Sequence, residues 1–100
     1  MTVNTLKKVK INIDVKEPTL YQVVYYNDEI TPAVVVAETL IQIFNYEIED
    51  AVALTTVIND SGSGIAVSGI SKELATHLKD LVLVSAQVAK YPLKVEVKAK

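Results

Sequence analysis

Tyr21-Gln22-Val23-Val24-Tyr25-Tyr26, followed at once by Asn27-Asp28-Glu29-Ile30-Thr31-Pro32, is the stretch that decides the fold. Val and Tyr dominate the first six residues, as in a β-strand. Thr31-Pro32 reads as a helix start, a capping hydroxyl and then a residue whose missing N–H costs nothing at the first helical position. Between strand and helix lies a short turn with one amide and two carboxylates. A strand end facing a helix start holds polar groups rigidly, and a pair of acids there suits a cationic guest such as an amine.

Working outward, a first helix is predicted from about Pro32 to Asn45, with Val36, Leu40, Ile43 and Phe44 on its apolar side. Val34, Val35 and Val36 are β-formers by preference, but the Thr-Pro start favours the helix. A second helix, about Glu47 to Ile58, opens on Glu47, Glu49 and Asp50, which suit the positive end of a helix dipole. Asn59-Asp60-Ser61-Gly62-Ser63-Gly64, dense in turn residues, reads as a loop, and Ile65-Ala66-Val67 reads as a short strand. Ser71 can cap a third helix reaching about Lys90, with Leu74, Leu78, Leu81, Val82, Val84, Ser85 and Val88 as its apolar face. Pro92 ends it, and Leu93-Lys94-Val95-Glu96-Val97 alternates as a last strand. The order β-α-α-β-α-β predicts an α+β domain: a small three-stranded antiparallel sheet with three helices on one face. Residues 1–19 read as an N-terminal extension and 20–100 as one core domain. Within the extension, Val9 to Val15 alternates apolar and polar and would suit a strand.

One hundred residues, half of them hydrophobic, make one core rather than two. Cysteine is absent, so neither a disulfide framework nor a thiolate metal site is available. The opening residues lack a signal peptide's apolar segment, and no apolar run is long enough to span a membrane, so a cytoplasmic protein is expected. All ten basic residues are lysines. Lys7, Lys8, Lys10 and Lys16 crowd the first segment, whereas Glu17 to Ser71 holds eight acids and no base. Nucleic-acid binding would need a basic stripe with Arg or aromatic platforms, and none is visible.

Catalytic constellations are missing too. The single His77 sits in the third helix beside Lys79 and Asp80, a solvated setting. No convergent His, Cys or carboxylate spacing points to a metal, and Gly62-Ser63-Gly64 is too short for a phosphate loop. The chain reads as a binding protein rather than an enzyme, with no cofactor.

The strand, the Asn-Asp-acid-x-Thr-Pro turn and the helix together resemble the signature of the ClpS family, adaptors that deliver N-degron substrates to the Clp protease. The resemblance runs from Tyr21 to about Val97. It includes Phe44 at the end of the first helix, Gly62, Ser71-x-Glu73-x-Ala75, and Tyr91-Pro92-Leu93. It implies that Asn27 and Asp28 hold the α-amino group of a bound N-terminus, with Glu29 as the next acid. By similarity, Thr31, Val36, Thr39, Thr55, Ile58 and Leu93 line a hydrophobic pocket for the first side chain. It further implies a monomer in a bacterial-type cytoplasm or a plastid stroma. Its partner would be the N-terminal domain of a Clp AAA+ unfoldase, ClpA or ClpC. The extension would be a mobile arm. The ribosomal stalk protein's C-terminal domain shares the element order but lacks the Asn-Asp-acid turn.

Three positions depart from the family pattern. Asn59 replaces a His that completes the ammonium site, and its amide oxygen can still accept one bond. Ala33 replaces a bulky apolar guard at the pocket mouth, and Thr55 makes the floor more polar. For unfoldase docking, Glu73 lies in the matching stretch. A basic residue usual one turn later falls at Leu78, with Lys79 beside it. The expected function is therefore N-degron binding and delivery. The alternative is a Clp-docking modulator with weak or altered N-degron binding.

Overall fold

The computed structural model describes residues 18–100. Six elements follow one another: β1 (Tyr21–Tyr26), α1 (Ala33–Phe44), α2 (Ile48–Ser61), β2 (Ser63–Ile70), α3 (Lys72–Val88) and β3 (Lys94–Ala99). The sheet order is β2-β1-β3, and both pairings are antiparallel. The helices cover the sheet face that carries Val23 and Tyr25, whose β3 partners are Val97 and Val95. The predicted α+β architecture and element order are those observed. The extension's predicted strand, Val9 to Val15, lies outside the described residues.

Strand β1 is the middle strand, and its Val23 and Tyr25 side chains enter the core with no exposed surface, as suits β-branched and aromatic residues. Its pairing with β2 is not uniform. Val23 faces Val67 while Val24 faces Ile65, so Ala66 is an extra residue. Tyr21 faces Ile70 while Gln22 faces Ser68, so Gly69 is a second. Gly69 has φ +76°, the left-handed conformation that a bulge of this kind requires. The Tyr46 hydroxyl donates to the Ala66 carbonyl at 2.6 Å, fastening the α1–α2 connection to the first bulge.

Several local expectations need correction. Thr31 does not cap α1 with its hydroxyl; Pro32 is the cap residue, with extended ψ of 145°. The Pro32 carbonyl accepts from the N–H groups of Val35 and Val36, at 3.0 and 3.3 Å. The stretch Asn59 to Gly64 is not a loop. Helix α2 continues through Ser61, Gly62 turns the chain at φ +93°, and β2 begins at Ser63. A single glycine suffices because its N–H closes the helix on the Ile58 carbonyl, at 2.9 Å. Strand β2 is accordingly eight residues long rather than three. Strand β3 starts at Lys94, one residue after Leu93.

The apolar face of α3 is also rotated from its predicted position. Ala75, Val82 and Ala86 are buried, spaced seven and four residues apart as one helical stripe requires. Leu78 and Leu83 pack partly against it, whereas Leu74, Leu81, Val84 and Val88 are exposed. The alanines let the helix lie close to β1 and β3, so the larger side chains fall to its flanks. Among the described residues, no helix is long and apolar enough to cross a membrane.

Candidate functional site

The turn after β1 is built around one carboxylate. Asp28 Oδ1 accepts from the N–H of Ile30 at 2.9 Å and from the N–H of Thr31 at 2.6 Å. These two bonds close the turn and set the angle at which the chain enters α1. The turn is also tied to the end of α2, because the Asn27 N–H donates to the Gly62 carbonyl at 2.9 Å. The strand end, the start of α1 and the end of α2 therefore meet at one place.

There they enclose a cavity of about 270 Å³. Its polar lining comes from Asn27, Asp28, Glu29 and Asn59, and its apolar lining from Ala33, Val36 and Ile58. Thr31, Thr55 and Tyr26 complete the wall. Asp28 Oδ2 and the hydroxyl oxygens of Thr31 and Tyr26 are buried, with no hydrogen-bond partner among the described residues. Buried polar atoms normally find partners, and an unmet carboxylate oxygen costs more than a neutral one. Partial burial raises the Asp28 pKa, but donation from the Thr31 and Ile30 N–H groups outweighs it, so the pKa lies below the ordinary aspartate value. The Thr31 hydroxyl also favours the anion, although its oxygen makes no bond of proper geometry. The cavity thus presents a fixed anion and several acceptors beside an apolar wall. That combination can receive a cationic donor attached to a hydrophobic group.

Most of the residues expected at the site converge: Asn27, Asp28, Glu29 and Asn59 on one side, with Thr31, Ala33, Val36, Thr55 and Ile58 around them. Thr39 and Leu93 do not line the cavity. Thr39 is 2% exposed, and its hydroxyl is engaged by the Val36 carbonyl and the Tyr25 hydroxyl. Leu93 is buried in the main core. The Asn59 amide donates to Asp60 at 3.4 Å, along the exposed end of α2. Thr55 donates its hydroxyl hydrogen to the Ala51 carbonyl one turn back, at 2.7 Å. Tyr26 was not anticipated, since alternation marked it only as a strand residue. Its place next to the turn is the signal that could have found it.

Glu73 and Lys79 lie elsewhere, on α3. Glu73 is exposed in the first turn, and Lys79 pairs with Asp80 at 3.8 Å. Lys79 borders an open depression between α3 and β3, with Lys72, Thr76, Glu96 and Lys98.

Residues 16–96 match the family model of the ATP-dependent Clp protease adaptor protein ClpS. The ATP-dependent Clp protease adapter protein ClpS of Campylobacter jejuni is 34% identical over 94 residues, covering 93% of this chain and 92% of that protein. The protein of the same name from Acetivibrio thermocellus is 30% identical over 93 residues, covering 93% of each. The solved structure of Agrobacterium tumefaciens ClpS2 bound to L-phenylalaninamide superposes with a TM-score of 0.80. It is 21% identical and covers 84% of this chain and all of that one, a likeness of fold. The chain belongs to the ClpS family of Clp protease adaptors.

Proposed function

We propose that this adaptor binds the free N-terminus of proteins that begin with a bulky hydrophobic residue and delivers them to a Clp AAA+ unfoldase. The observation that carries the reading is Asp28 Oδ2, a buried carboxylate oxygen without a partner among the described residues, in a residue that lines a cavity together with the apolar Ala33, Val36 and Ile58. An α-ammonium brings three donors and a positive charge to such an acceptor. A charge-assisted bond contributes about 1.5–3 kcal/mol, and burial of a Leu-sized side chain contributes a similar amount. The ligand bound to Agrobacterium ClpS2, L-phenylalaninamide, is a free amine on a large apolar side chain, the same chemistry. Delivery would use the α3 surface around Glu73 and Lys79 to dock on the N-terminal domain of ClpA or ClpC. The chain would act as a monomer in a cytoplasm or plastid stroma.

A second reading has its own support. The Asn59 NH2 donates to Asp60, which leaves its amide oxygen as the one acceptor it can offer an ammonium, and Ala33 adds only a methyl group to the cavity wall. Both fit a modulator that docks on the unfoldase but grips N-termini weakly. Reconstituted degradation separates the two. A reporter beginning with Leu should be degraded faster when the adaptor is added, and the same reporter with a blocked N-terminus should not. Equal slowing of both reporters would favour the modulator.

A further inference from the structure

The cavity has an apolar neighbour. Between α1 and α2 runs a groove of about 280 Å³ lined by Ala33, Val34, Ala37, Val52, Thr55 and Thr56. It contains no charged side chain, and Val34 and Val52 stand 62% and 54% exposed in it. Ala33 and Thr55 line both the groove and the amine cavity, so the two abut across small side chains. The hydroxyl hydrogen of Thr55 is already committed to the Ala51 carbonyl, so this side chain offers the groove no donor.

From this juxtaposition we infer that the α1–α2 groove is a second subsite, taking an apolar side chain at the third residue of the bound N-terminus. The inference rests on the amine-binding reading of the cavity. In an extended chain successive side chains point to opposite sides, so the first and third project together, about 6.6 Å apart. With the amine fixed at Asp28 and the first side chain in the cavity, the second side chain faces away from the protein. The third reaches the next depression along the surface. A groove with no charge in its lining favours an aliphatic or aromatic residue there and disfavours Asp, Glu and Lys.

The test compares peptides with Leu at position one and Leu or Ser at positions two and three, titrated into the full chain by fluorescence anisotropy. Leu at position three should tighten binding about threefold to tenfold over Ser, and Leu at position two should change it by less than about twofold. The variant Val34→Gln/Val52→Gln should abolish the gain from position three while still binding the Leu-Ser-Ser peptide as the parent does. Glutamine favours helix more than valine, so this variant should keep the fold. An acetylated Leu-Ser-Leu peptide serves as the control. Loss of binding on acetylation together with no effect at position three would overturn the subsite alone. An effect confined to position two would overturn the extended register. Insensitivity to acetylation would overturn the amine reading on which the subsite depends.

Discussion

The Tyr25 hydroxyl and Thr39 Oγ1 lie 2.8 Å apart in the core, joining the central strand to α1. Thr39 has one hydrogen to give and donates it to the Val36 carbonyl at 2.8 Å, so Tyr25 is the donor to Thr39. Burial comes first in raising the Tyr25 pKa far above the ordinary tyrosine value, and the nearby Tyr46 adds to it. This chain of bonds fixes α1 over β1, and through Val36 it fixes one wall of the cavity.

An asymmetry in stability follows. Thr39→Val leaves the buried Tyr25 hydroxyl without an acceptor and should cost about 1–3 kcal/mol, whereas Tyr25→Phe should cost about 1 kcal/mol. The double variant should be more stable than Thr39→Val alone, because it removes the orphaned donor. Urea unfolding of the four proteins measures the cycle, and strict additivity would contradict donation from Tyr25 to Thr39.

The two oxygens of Asp28 are set apart: Oδ1 closes the turn, and Oδ2 is the one proposed to receive the ammonium. Asp28→Asn keeps an acceptor for the Ile30 and Thr31 N–H groups but removes the charge. It should therefore fold normally and bind a Leu-start peptide about tenfold more weakly or worse, as expected for a lost charge-assisted bond of about 1.5–3 kcal/mol. Asp28→Ala should lose affinity and also melt earlier. The folded pKa lies below the unfolded one, so the stabilisation is complete above the ordinary aspartate range and is lost as pH falls through the folded value. Thermal melts at decreasing pH should show Asp28→Asn converging with the parent as pH falls below the ordinary aspartate range.

Gly64 is required for space. A Cβ there would lie 2.8 Å from Ile58 Cγ1 and 2.9 Å from Leu54 Cδ1, on the helix that β2 supports. Gly64→Ala should destabilise the fold by about 1–3 kcal/mol, as overpacking does. Because Ile58 also lines the cavity, the same change should alter peptide affinity, whereas Gly62→Asn, at a left-handed turn with open space around it, should leave binding intact.

Ala33 gives the cavity wall only a methyl group. Discrimination of one methylene in an apolar pocket is only about 1–3 kcal/mol. Peptides beginning with Ile or Val should therefore bind within about tenfold of those beginning with Leu, and Ala33→Met should widen the gap. Strong rejection of Ile and Val by the unmodified protein would show that another residue guards the mouth.

The β1–turn–α1 unit was legible in sequence because each signal agreed with the next: an alternating strand, a turn of polar residues, and a proline at a helix start. What escaped was set by close approach. Alanine carries a weak hydrophobic signal, so Ala75 and Ala86 did not mark the buried stripe of α3, whereas Leu74, Leu81 and Val88 falsely did. Gly62 and Gly64 read as loop because turn composition does not distinguish a six-residue loop from one residue at φ +93°. Thr39 was placed in the pocket wall by family resemblance alone, and nothing in the sequence pairs it with Tyr25, fourteen residues earlier.

The central claim is that Asp28 and its neighbours grip a free α-ammonium. Calorimetric titration of one Leu-start peptide, with its N-terminus free or acetylated, tests it most directly. At pH 7 the free peptide should bind in the low-micromolar range, about −8 kcal/mol, and the acetylated one at least about tenfold more weakly. Binding of the free peptide should also fade above about pH 8, where an α-amino group loses its proton. Equal affinities for the two peptides would contradict the account.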